Sequence, residues 1–87
     1  MTVLFTFLSV HHALKAEKIL RTLGLEFDII PTPRSISSSC GMSIIIESTG
    51  TALGAAEQIE AAGISIAAQY HSSDGFKWSK DGGEERT

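Results

Sequence analysis

Apolar positions along the chain fall into six segments whose spacing alternates between strand-like and helical. Thr2–Leu8 (TVLFTFL) is rich in β-branched and aromatic residues and too short for a helix, which predicts a first strand. Ser9 follows as a candidate N-cap, with an oxygen able to accept from an orphan amide of the first helical turn. A helix is expected over Val10–Leu23, where Ala13, Ala16, Leu20 and Leu23, with Ile19 beside them, form one apolar stripe. His11, Lys15, Lys18 and Thr22 form the opposite, wet line, and Glu17 with Arg21 is a favourable i,i+4 pair. Gly24 is the natural left-handed terminator. Leu25–Ile30 reads as the second strand, closed by Pro31, which has no ladder donor. Met42–Glu47 reads as the third. Ser48, Thr49 and Thr51 offer caps for a second helix over Ala52–Ala62, with a stripe of Ala52, Ala55, Ala56, Ile59 and Ala62. Gly63 ends it, and Ile64–Tyr70 is the fourth strand.

The two halves echo one another. Ala16-Glu17-Lys18-Ile19 returns as Ala56-Glu57-Gln58-Ile59, and the terminators Gly24 and Gly63 follow at nearly the same offset. The order βαββαβ in 87 residues points to an α+β fold of the ferredoxin-like type, two helices on one face of a four-stranded antiparallel sheet. Residues 1–71 form the expected single domain. Residues 72–87 are expected to be a polar, mobile C-terminal tail, with Phe76 and Trp78 its large apolar residues.

Composition narrows the function classes. Net charge is −3, made of +1 over residues 1–43 (four Lys/Arg, three Asp/Glu) and −4 over residues 44–87 (three and seven). Neither half carries the basic stripe of a nucleic-acid binder. One cysteine forms no internal disulfide, so the chain is not a disulfide-framed secreted mini-protein. The N-terminus lacks the positive region of a signal peptide, and no apolar run reaches the ~20 residues of a membrane span. A reducing cytoplasm is the expected setting, where a thiol stays free.

Candidate chemistry collects in Pro31–Gly41, PTPRSISSSCG, which holds both prolines, the cysteine, an arginine and four serines. It is long for a hairpin loop, which usually takes about two to five residues. In the expected topology the end of strand one meets the start of strand three, which brings Cys40 to the N-terminus of the first helix. Helix N-termini and neighbouring cations lower thiol pKa values from about 8.5 toward 7 or below. His12, in register with Ala16, Ile19 and Leu23, is expected to turn toward the sheet and this loop, either as a partner of the thiolate or as a half-buried capping histidine. Arg34 follows a stiff Pro-x-Pro and suits an anion, the alternative being a surface charge. Ser37, Ser38 and Ser39 bring small hydroxyl donors to the sulfur, and Gly41 allows close backbone approach. A buried, inert cysteine is the competing reading, but such a residue normally sits among apolar neighbours.

The residues also exclude chemistry. A dithiol oxidoreductase needs a resolving thiol that one chain does not contain. A cysteine hydrolase wants His with an orienting Asn or Asp; the chain has no Asn, and nothing in the sequence places Asp28 near His12. Two adjacent histidines and one cysteine leave no fourth zinc ligand, and neither a metal nor a cofactor is expected. What remains is a thiol that accepts, holds and passes on a group.

The helix start His-His-Ala-Leu-Lys-Ala-Glu-Lys (residues 11–18), together with Pro-x-Pro-Arg-x-Ile-Ser-Ser-Ser-Cys-Gly (31–41), resembles the selenium/sulfur carrier-like family of small bacterial and archaeal proteins. The resemblance covers most of residues 3–70. It implies a carrier of sulfur or selenium centred on Cys40, with Arg34 and the serine run as its cradle and His12 as the helix partner. Its implied partners are donor and acceptor proteins. The Cys-Pro-x-Pro motif of TusA-type sulfur carriers is absent. The main alternative is an ACT-like regulatory or ligand-binding module. Its two chains would pair through a free sheet face, with Val3, Phe5 and Phe7 on strand one and Ile44 and Ile46 on strand three. An RNA-recognition-like domain is disfavoured, because MSIII on strand three lacks the aromatic and basic residues such a surface needs.

Overall fold

Two helices pack on one face of an antiparallel sheet, each burying its apolar stripe against the strands. The computed structural model of the chain describes residues 2–33, 36, 41–74 and 77–80. Their order is β1 (Thr2–Phe7), α1 (Val10–Thr22), β2 (Asp28–Pro31), β3 (Met42–Ile46), α2 (Thr49–Ala61), β4 (Ile66–Ser72) and β5 (Ser79–Lys80). The sheet runs β2-β3-β1-β4-β5 with every neighbouring pair antiparallel. The α+β class and the central β1–β3 pair agree with the sequence pattern. β5 is additional to the four expected strands: Lys80 and Ser79 lie opposite Tyr70 and His71. Two polar residues carry no alternation that could announce a strand. Trp78, just before β5, is half-buried, while Phe76 lies outside the described residues.

The core lies between sheet and helices. Val3 and Phe5 of β1 and Ile44 and Ile46 of β3 meet Ala16 and Leu20 of α1 and Ala52, Ala55 and Ile59 of α2. Alanines at the contact positions let the α2 backbone approach the strands closely. This corrects the expected free face. Val3, Phe5, Phe7, Ile44 and Ile46 point under the helices, so that surface is covered within one chain and cannot pair two copies. The open face carries Thr2, Leu4 and Thr6, in register with Ile45 and Ser43 of β3 and with Tyr70 and Ala68 of β4. Leu4 is fully buried there, although it is not part of the helix-side cluster. The β1–β4 register slips between Thr6 and Phe7, leaving Ala67 unpaired and setting Ile66 opposite Phe7 on the helix side.

Both helices end in the same device. At α1, Gly24 N–H donates to Arg21 O and Leu25 N–H to Leu20 O; at α2, Gly63 N–H donates to Glu60 O and Ile64 N–H to Ile59 O. These are paired Schellman closures, with glycines at φ 75° and 87°. Leu25 and Ile64 seal the helix ends and pack on the core, which is why β2 and β4 begin later than their apolar runs suggest. Leu23, counted in the α1 stripe, is instead a 46% exposed C-cap. A Cβ at Gly63 would meet nothing within 4 Å, so Gly63→Ala should cost only the backbone term, about 1–2 kcal/mol. Urea denaturation measures this.

Candidate functional site

The 31–41 stretch starts and ends at the sheet edge where α1 begins. Thr6, near the end of β1, lies opposite Ser43, and Pro31 lies opposite Met42. Ser9 caps α1 at this edge, its hydroxyl accepting from His12 N–H at 3.3 Å. The mouth of the stretch is clamped by Thr32. Its N–H donates to Gly41 O at 2.8 Å, and its Oγ1 shares a hydrogen bond of 2.6 Å with Ser43 Oγ. Ser43 is fully buried. Sequence reasoning missed both residues; the signal was a serine inside the apolar run MSIII, where a buried hydroxyl needs a partner. Beyond the clamp, Ile36 N–H donates to Pro33 O at 3.0 Å, closing a turn.

This clamp predicts an asymmetry. Thr32→Val strands the Ser43 hydroxyl in a dry site and should cost about 1–3 kcal/mol. Ser43→Ala leaves the half-buried Thr32 hydroxyl, which can still find water, and should cost less. The double variant should recover part of the Thr32→Val loss, read from urea midpoints.

The expected site residues divide into two groups. Arg34, Ser37, Ser38, Ser39 and Cys40 lie outside the described residues. Gly41 and His12 are described. Gly41 is half-buried, and a Cβ there would lie 3.6 Å from Thr32 Oγ1, an ordinary contact. On its described side, then, nothing requires glycine. Gly41→Ala should change stability by no more than about 0.5 kcal/mol.

His11 is exposed and His12 half-buried, as their helix positions require. The described surroundings of His12 are the α2–β4 connection: with Lys15, Lys18 and Ile19 it lines a groove of about 530 Å3 against Ala62–Ile64. Its Nδ1 is buried with no hydrogen-bond partner among the described residues. Asp28 is in register with Ile45 on the open face, across the sheet from α1. It therefore does not orient His12.

A larger cleft of about 900 Å3 opens between the α1–β2 connection and the start of α2, lined by Arg21, Phe27, Asp28, Glu47 and Ser48 among others. Arg21 is held there by Glu17 at 2.6 Å and lies 5.7 Å over the Phe27 ring. Its charges are mixed. Among the described residues no three His, Cys, Asp or Glu side chains gather to hold a metal ion. No helix is long and apolar enough to cross a membrane.

No curated protein and no solved structure matches the chain. Residues 2–71, from the start of β1 almost to the end of β4, match the model of the family described as "Putative Se/S carrier protein-like", and the chain belongs to that family.

Proposed function

We propose that the protein is a small thiol carrier, with Cys40 taking sulfur or selenium as a persulfide or selenosulfide and handing it to a partner enzyme. The observation that carries this reading is the family match, which spans the whole Pro31–Gly41 stretch. The fold supports it. We read the β2-β3-β1-β4 order as a ferredoxin-like βαββαβ sandwich with β5 appended, a topology in which Gly41 and Met42, just after Cys40, lie at the edge where α1 is capped. The positive end of a helix dipole favours a thiolate.

Loading is an exchange without net oxidation. The Cys40 thiolate attacks the outer chalcogen of a donor persulfide or selenosulfide, the Cys40–chalcogen bond forms, the donor's bond to that atom breaks, and the donor leaves as thiolate. Delivery runs the same exchange toward an acceptor thiolate, so the protein is a carrier rather than a turnover catalyst. In this reading Arg34 and the amides and hydroxyls of Ser37, Ser38 and Ser39 hold the anionic cargo. Gly41 leaves room behind the sulfur, and His12 is its partner on α1. The cytoplasm, where thiols stay reduced, is the setting this chemistry needs. The test is intact mass after incubation with a low-molecular-weight persulfide. A reductant-labile gain of one chalcogen atom, absent in Cys40→Ala, is expected; no adduct on the wild-type chain overturns the reading.

A further inference from the structure

The groove between α1 and the α2–β4 connection differs in charge from the chain as a whole. Net charge is −3, yet among the described residues no carboxylate lines the groove, while Lys15 and Lys18 both do. Among the described residues neither lysine ammonium has an ion pair or hydrogen bond, in contrast to the Arg21 guanidinium, which Glu17 neutralises. Ile19, Leu23 and the buried Ile64 give the groove an apolar part, beside Thr22, Ala62 and Gly63. His12 closes the end nearest the start of α1, at the sheet edge where the 31–41 stretch joins β3. At about 530 Å3 the groove falls within the ~300–1,000 Å3 range of ligand pockets, toward its smaller end. That volume suits anchoring side chains rather than a whole helix.

We propose that this groove docks an acidic segment of a partner protein. An apolar side chain of the partner enters between Ile19, Leu23 and Ile64, and carboxylates on either side of it pair with Lys15 and Lys18. Apolar burial supplies the anchor, and ion pairs beside a dry floor are less screened than pairs in open solvent. The partner is a protein that loads or unloads Cys40, since such a protein must approach this edge; this identification rests on the carrier reading, and the docking chemistry does not. A purely structural role for the lysines is the competing account. α2 has no basic residue in its last turn, and Lys15 and Lys18 could serve as countercharges to its C-terminal dipole.

The test is an amide NMR titration of the isotope-labelled full chain with the acetylated, amidated peptide Glu-Asp-Leu-Phe-Glu-Asp. Saturable shifts are expected at Ile19, Leu23, Gly63 and Ile64, weakening as salt rises. Affinity should fall about tenfold or more in the Lys15→Glu/Lys18→Glu double variant. Lys15→Gln/Lys18→Gln provides the same comparison should charge reversal unfold the chain. A peptide with Gln and Asn in place of the acids, and one with Ala-Ala in place of Leu-Phe, should not saturate.

Absence of saturable shifts in the groove overturns the proposal. So does equal binding of the amide peptide, which means an apolar patch without charge recognition, or the same shifts from sodium acetate, which mean an adventitious anion only. A lowered melting temperature with unchanged peptide affinity assigns the lysines to the α2 dipole alone and also overturns it. Cys40→Ala should bind the peptide like the wild type. A wild-type chain that binds the peptide but takes up no chalcogen would overturn the carrier reading alone, and one that loads but does not bind the peptide would overturn the docking proposal alone.

Discussion

Cys40→Ala should lose all chalcogen loading while melting within roughly 4 °C of the wild type. The first half follows from chemistry, since the chain holds one cysteine and no other side chain forms a reductant-labile persulfide. The second half makes the experiment discriminating. The buried apolar core is assembled from β1, β3, α1, α2 and Ile64, and a carrier thiol owes it nothing. An inert packing cysteine predicts the opposite pair of results. It would resist loading, and truncation to alanine would leave a one-atom cavity, at a cost of about 1 kcal/mol or more, which lowers the melting temperature of a domain this size by roughly 4–8 °C or more. Intact mass and a thermal melt on the same two proteins separate these outcomes. A wild-type chain that does not load, together with a destabilised Cys40→Ala, points to packing.

Phe5→Ala should have the largest effect on stability. Phe5 is fully buried at the middle of β1, between Ile44 of β3 and Gln69 of β4, and both helices pack over it. Phenylalanine truncations at such sites cost about 3–5 kcal/mol. Domains are stabilised by only about 0.05–0.15 kcal/mol per residue, so for 87 residues the loss is comparable to the total at its lower end. A broad or absent melting transition is expected at temperatures where the wild type is folded. Leu53→Ala, on the outer side of α2 and 59% exposed, is the control and should stay within about 0.5 kcal/mol. Equal effects of the two substitutions would show that the helices do not cover this face.

Much of this architecture is legible from spacing alone, because helix ends and strands are written in local chemistry. Ser9, Ser48, Gly24 and Gly63 each do at a helix end what their residue type allows, and the caps and closures appear where those residues stand. The covered side of the sheet is harder to read. In TVLFTF the odd positions are all apolar, but Leu4 among the even ones is buried as well, so alternation does not say which face the helices take. Leu25 and Ile64 look like strand residues and are used as helix seals, a choice decided by tertiary packing. β5 is two residues long, too short to carry a period. At the candidate site, Cys40 and its polar neighbours stand out by residue type. The clamp was invisible because Thr32 and Ser43 are ordinary residues until the pairing of β2 with β3 brings them together. The groove was hidden for a similar reason: Lys15 and Lys18 read as a solvated face until the end of α2 arrives beside them.

On the carrier reading, the Thr32 clamp also limits how cargo would travel. It ties down Gly41 through its carbonyl, and Gly41 is bonded directly to Cys40. Consecutive Cα atoms are about 3.8 Å apart, so a chalcogen on Cys40 rides a tether one residue long beyond a pinned point. Carriers that swing a long flexible arm can visit several active sites from one docked position. On that reading a leash this short makes the whole protein the vehicle: it would have to seat itself afresh on each partner, and the rate of transfer would be a question of how quickly two surfaces find and release one another.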